Sequence, residues 1–170
     1  MKRSYIRFYF LICLALAISL FIYLFYRTEK TIINELLIQL ISVEKYSDIK
    51  TYISSLIPLK EFEIYSLPQG LWVFCTALTS KHFYLKFFDQ KINLSYLPIV
   101  LAVVIELIQL LHWTDGRFDP IDLLFSVIFW VFGTYIFKSP YQKDNIFPIT
   151  NLRSLSCIFC YSIVFLGCVW

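Results

Sequence analysis

Phe8-Tyr-Phe-Leu-Ile-Cys-Leu-Ala-Leu-Ala-Ile-Ser-Leu-Phe-Ile-Tyr-Leu-Phe-Tyr26 runs without a charge between Arg7 and Arg27. About 20 apolar residues make a helix that crosses roughly 30 Å of hydrocarbon, so this run reads as a transmembrane helix. A secretory signal is the rival. Lys2, Arg3 and Arg7 form a basic start, and Ala15-Leu16-Ala17 mimics a cleavage site. The run continues through Ile18 to Phe25, past the apolar stretch of such a signal, and it reads as a retained anchor.

Composition carries the reading outward. The chain is 59% apolar and only 16% charged, whereas soluble domains hold about 45–50% apolar and about 25% charged residues. A water-soluble fold of this size could not hide so much apolar surface. Aromatic residues reach 19%, as suits lipid-facing helices with interfacial belts. The net charge of +3 makes no case for nucleic acid. Cys157-Ile-Phe-Cys160 has redox or metal spacing, but it lies in an apolar run that would not support a thiolate. No H-E-x-x-H, G-x-S-x-G or phosphate-loop motif occurs. No metal and no cofactor are expected, and the chain leans away from the enzymes.

Four further apolar stretches follow: Leu67 to about Phe88, Leu94–Trp113, Ile121–Phe137 and Leu155–Trp170. The first contains Lys81, His82 and Lys86, which can snorkel from a head-group layer. The expectation is an all-α membrane protein, a bundle of about five transmembrane helices. Residues 1–66 form the anchor and a long connection; residues 67–170 form a four-helix membrane core. In the connection, Ile33, Leu36, Leu37, Leu40 and Ile41 recur at helical spacing, as do Ile49, Tyr52, Ile53, Leu56 and Ile57 before Pro58. Two amphipathic helices on the outer membrane face fit this pattern, and a small cap on the bundle is the alternative.

Lys and Arg set the orientation. With the N-terminus inside, the short segments on the inner side carry Lys2, Arg3, Arg7, Lys81, Lys86, Lys91, Lys138, Lys143 and Arg153, against Arg117 alone outside. The other five lie in the long connection. The expected location is a bacterial cytoplasmic membrane, N-terminus cytoplasmic and C-terminus outside.

The chemistry concentrates in Glu106-Leu-Ile-Gln109-Leu-Leu-His112-Trp113-Thr-Asp115-Gly116-Arg117-Phe-Asp119-Pro120-Ile-Asp122-Leu-Leu-Phe-Ser126. Glu106 and Gln109, three apart, share a helix face. An unpaired carboxylate inside a membrane costs about 3 kcal/mol or more, so Glu106 is expected to face the bundle and find a partner or bind a proton. Asp119-Pro120 reads as an N-cap and first helical residue, with Asp122 in the first turn. A short turn makes the two helices antiparallel neighbours, which brings Glu106, Gln109, Asp122 and Ser126 toward one polar seam. The bland account is a hydrogen bond between helices for Glu106 and Gln109, a plain cap for Asp119, and lipid-phosphate contact for Arg117.

Glu106-x-x-Gln109, the Gly116-Arg117 turn, Asp119, Asp122 and Gly133 resemble the VanZ-like family of small bacterial membrane proteins. Ser66-Leu-Pro68-Gln-Gly70-Leu-Trp72 is similar to the helix entrance of that family. Ser126 stands where Asn is usual, Phe129 where a glycine is usual, and Gln69 where an acid is common. The resemblance spans about Leu67 to Phe137. It implies an envelope role of the antibiotic-resistance type, since namesakes are linked to glycopeptide (teicoplanin) resistance. On this reading Glu106, Gln109, Arg117, Asp119 and Asp122 bind a lipid head group or a lipid-linked envelope precursor. The alternatives are a subunit or pore-forming part of a larger membrane assembly, as a homo-oligomer or with a partner protein, and an intramembrane enzyme using Glu106 and Asp122.

Overall fold

The helix at the centre of the bundle is the least apolar of the five that build it. A computed structural model describes residues 2–27, 32–88, 90–113, 117–136, 143–147, 149 and 151–168. In it, α4 (Glu61–Ser80) is buried without a break from Gly70 to Ser80. Around it stand α1 (Lys2–Phe25), α5 (Leu97–Leu110), α6 (Pro120–Tyr135) and α7 (Leu152–Cys168), each touching α4. Two of the hydroxyls that α4 carries inward are satisfied at home: Thr76 donates to the Trp72 carbonyl at 2.8 Å and Thr79 to that of Cys75 at 2.9 Å. Ser80 reaches the Tyr161 hydroxyl of α7 at 2.9 Å.

α1 and α5 run antiparallel to α4, whereas α6 runs parallel to it. Phe8 near the start of α1 meets His82 just past the end of α4, while Arg27 past the end of α1 meets Tyr65 near the start of α4. The bundle therefore has two distinct ends. The end of α1, the start of α4, the end of α5 and the start of α6 gather at one; a small sheet closes the other.

That sheet departs from the sequence expectation. Leu67 to Phe88 is not one helix: α4 stops at Ser80, Lys81 and His82 turn, and β1 (Phe83–Phe87) begins. β1 pairs antiparallel with β2 (Gln90–Asn93) and parallel with β3 (Asp144–Asn145). Phe83-Tyr84-Leu85-Lys86-Phe87 is rich in residues that suit a pleated, half-buried surface. Phe83 and Leu94 pack with Ile146 and Cys157 beneath the sheet. Lys81 is buried rather than snorkelling, and burial lowers it to about 8. Burial, then the charges of Lys81 and Arg153, push His82 down to about 4 against the opposing pull of Asp144. At neutral pH the positive charge of this end therefore comes from its lysines and arginines. The remainder of the fold is helical, as expected.

The connection forms α2 (Ile32–Ile41) and α3 (Val43–Leu56), where the periodicity places them. α3 closes the end of α1. Buried Tyr46 donates to the Leu24 carbonyl, and Lys50 Nζ donates to that of Arg27 at 2.7 Å. Both carbonyls are of the kind a helix end leaves without an intrahelical donor. The Tyr26 hydroxyl returns a bond to Ile57 at 2.7 Å. Ile49, Tyr52 and Leu56 are left exposed along one stripe.

Ile6–Phe25 is long and apolar enough to cross a membrane, and Leu94–Leu110, Pro120–Tyr135 and Leu152–Ile163 are shorter apolar helices. The closest approach in the bundle is between α4 and α6. A Cβ on Gly133 would stand 2.8 Å from the Phe74 carbonyl oxygen and 3.0 Å from the Ala77 Cβ. A Cβ on Gly70 would meet the Phe129 ring at 2.5 Å, a side chain that can move. Gly133→Ala should therefore lower stability by about 1–3 kcal/mol, as overpacking does. Gly70→Ala should be recovered largely by adding Phe129→Leu, and no such partner should rescue Gly133→Ala. Thermal melts of the purified variants in detergent would check both.

Candidate functional site

At the end of the bundle away from the sheet, four elements place polar groups together. α5 brings Glu106, only 1% exposed and four residues from the end of its helix, hence about 6 Å below it at the helical rise. α4 brings Gln69, whose Nε2 donates to Glu106 Oε1 at 3.0 Å and lies 3.5 Å from Ser126 Oγ of α6. The start of α6 brings a backbone donor: the Asp119 N–H reaches Glu106 Oε2 at 3.3 Å. Both oxygens of the buried carboxylate are thus occupied, each by a different element.

α6 starts as Asp119-Pro120 predicts. Asp119 Oδ1 accepts from the Ile121 N–H at 2.8 Å, and Pro120 occupies the first turn, where no N–H is needed. Asp122 follows in that turn and turns inward to α4. Its carboxyl lies beside the Ser66 hydroxyl and within electrostatic reach of Arg27. Asp122 Oδ1 and Ser66 Oγ are nevertheless both buried without a hydrogen bond of ordinary geometry, and so is Gln109 Oε1.

Arg27 is held by a local defect in α4. Pro68 has no N–H, so the Ile64 carbonyl one turn earlier loses its helical donor. Arg27 Nε lies 3.5 Å from that oxygen, and Nη2 donates to the next carbonyl, Tyr65, at 3.1 Å. The guanidinium stands over the Tyr23 ring, 4.2 Å from its centroid, with Tyr65 at 5.5 Å. A cation is thereby fixed within electrostatic reach of Asp122, which itself neighbours Asp119 and Glu106.

Of the residues singled out from sequence, Glu106, Asp119, Asp122 and Ser126 come together. Gln109 shares the Glu106 face one turn on, half-buried. Arg117 is exposed at the edge of the cluster, two residues before Asp119. Asp115 and Gly116 lie outside the described residues. Three members escape the sequence reading: Arg27, Ser66 and Gln69. The only signal for them was the Ser66-Leu-Pro68-Gln69 segment, whose proline marks where a helix must accept a donor from elsewhere. The Cys157–Cys160 pair is buried with free thiols, Cys157 3.6 Å from Ser80 Oγ. Among the described residues no three of His, Cys, Asp and Glu group as metal ligands. Comparison with family models, curated proteins and solved structures finds no match to this chain.

The hydrogen bonds at Glu106 fix an expected outcome. Glu106→Leu orphans the Gln69 amide and the Asp119 N–H together, at about 1–3 kcal/mol for each donor left buried. Glu106→Gln keeps an acceptor for Asp119, and the Gln69 amide can turn to accept from the new one. It should stay within about 1 kcal/mol of the parent protein, as a pair of exchanged hydrogen bonds allows. Denaturation in mild detergent would separate the two variants.

Proposed function

We propose that this chain is a VanZ-like, multi-pass protein of a bacterial cytoplasmic membrane that binds a lipid head group or lipid-linked envelope precursor in the polar seam. The observation that carries the reading is an inverted polarity. Ser66, Glu106 and Ser126 are buried, while Val100, Val103, Leu107 and Leu110 of α5 and Leu124, Val127, Val131 and Phe132 of α6 are exposed. Water would penalise such a surface, and contiguous apolar patches of this kind mark contact with something apolar. Lipid accepts it and drives the acids inward.

Dimensions and belts agree. At 1.5 Å per residue α1 and α4 span about 36 and 30 Å, and α5 with its preceding turn about 25 Å. Tyr96, Trp113 and Tyr135 are exposed at the ends of α5 and α6, where interfacial aromatics belong. The sheet end carries Lys81, Lys86, Lys91, Lys143 and Arg153, which supports a cytoplasmic sheet and an outward seam. The exposed Ile49, Tyr52 and Leu56 stripe of α3, beside the end of α1, suits the outer interface. α1 is integral to this arrangement: Ile12 and Ala15 pack with Leu71, Phe74 and Leu78 of α4, so it acts as a retained helix. Arg117, exposed two residues before Asp119, has the fork geometry that suits a phosphate.

Alkaline phosphatase fused after Arg117 should be active and fused after Lys143 inactive; the reverse pattern would put the seam in the cytoplasm. Function is tested by complementing a deletion strain under envelope stress, with protein level and melting temperature measured alongside. Glu106→Gln should fold and fail to complement if the charge binds ligand. Full complementation by both Glu106→Gln and Arg117→Ala would make the cluster scaffold and favour a subunit of a larger assembly.

A further inference from the structure

The seam is short of donors. Glu106 has both oxygens filled, but Asp122 Oδ1, Ser66 Oγ and Gln109 Oε1 are buried oxygens without a hydrogen bond of ordinary geometry, Asp122 and Ser66 having only each other close by. Ser66 is wholly buried and sits against the Asp122 carboxyl, so its vacancy faces the acids and not the surface. Native interiors rarely leave such atoms unpaired, and each asks for an explanation. Among the described residues three carboxyl groups also gather here, and the guanidinium within reach of Asp122, that of Arg27, is itself turned to the Ile64 and Tyr65 carbonyls. A phosphate brings only acceptors and more negative charge, and it would leave all three oxygens unpaired.

Resting on the head-group reading above, we infer that the seam selects a primary ammonium group, of the ethanolamine head-group kind. An ammonium has three N–H donors and no acceptor, which matches oxygens in excess and a negative balance. A bare metal ion would satisfy the same charge, but among the described residues no three metal-ligating side chains group to hold one. A choline head group carries the same charge without an N–H. Discrimination between the two therefore isolates the hydrogen bonds from the electrostatics, and Asp122 and Ser66 are the binding residues that supply it.

The test titrates the full-length protein in detergent with short-chain phosphatidylethanolamine, phosphatidylcholine and phosphatidylglycerol, and separately with free ethanolamine, reading bound mass by native mass spectrometry. Phosphatidylethanolamine should bind about tenfold more tightly than phosphatidylcholine, the worth of one charge-assisted hydrogen bond. Phosphatidylglycerol should bind no better than phosphatidylcholine. Ser66→Ala, which leaves every charge in place, should shrink the preference to about threefold or less, and Asp122→Asn should weaken ethanolamine-lipid binding outright. If Asp122→Asn does not fold, Ser66→Ala decides. Equal binding of the three lipids overturns the ammonium inference and leaves lipid binding standing. Binding of free ethanolamine without any lipid supports the ammonium chemistry and overturns the lipid source. No binding by lipid or amine overturns both.

Discussion

A carboxylate closed off from solvent must be met by donors, and at Glu106 those donors come from two other parts of the chain. Gln69 Nε2 holds one oxygen and the Asp119 N–H the other. Charge-assisted hydrogen bonds contribute about 1.5–3 kcal/mol each, and a buried charge without them costs more. Meeting Glu106 constrains much else. It sets the rotation of α4 so that Gln69 faces α5, and it sets where α6 begins, because the donor is the N-cap residue itself. It also draws α4 and α6 together on the side where Gly133 lets the backbones approach. The polar contacts at one end hold α4, α5 and α6 together, and the glycine contacts further along keep α4 and α6 in the same register.

The second organising device is a missing hydrogen bond. Pro68 deprives Ile64 of its donor, and Arg27 fills the place from α1. A residue that ends an apolar run, and that sequence alone reads as a flank, becomes the cation of the site. The same side chain joins the end of α1 to the cluster, so damage to the end of α1 and damage to the acids should be felt together.

Local patterns made much of this legible. Spacing located α2 and α3, Asp119-Pro120 located the start of α6, and the i, i+3 relation put Glu106 and Gln109 on one face. What stayed hidden depends on contacts between segments far apart in the chain. Gln69, Ser66 and Arg27 lie far along the chain from Asp122 or Glu106, 37 residues in the case of Gln69 and Glu106, and no periodicity reports which helix face meets which. The β1–β2 hairpin was missed for a different reason. Its aromatic residues extend the apolar run of α4, and Lys81, His82 and Lys86 have a ready account as snorkelling side chains. Only the paired edge of the strand distinguishes the two readings.

The central position of α4 bears on the order in which the molecule is made. Synthesised second among the five bundle helices, it emerges with Thr76, Thr79, Ser80 and the acid-binding Gln69 before α5, α6 or α7 exists. In a bilayer its only earlier-made companion is α1, whose Ile12 and Ala15 already fit Leu71, Phe74 and Leu78. The internal bonds of Thr76 and Thr79 quiet its hydroxyls during that wait. Gln69 must be held until the nascent chain delivers Glu106, thirty-seven residues later, and Ser80 until α7 delivers Tyr161. In a bilayer the first two bundle helices, α1 and α4, would therefore form the biogenesis unit to which α5, α6 and α7 are added.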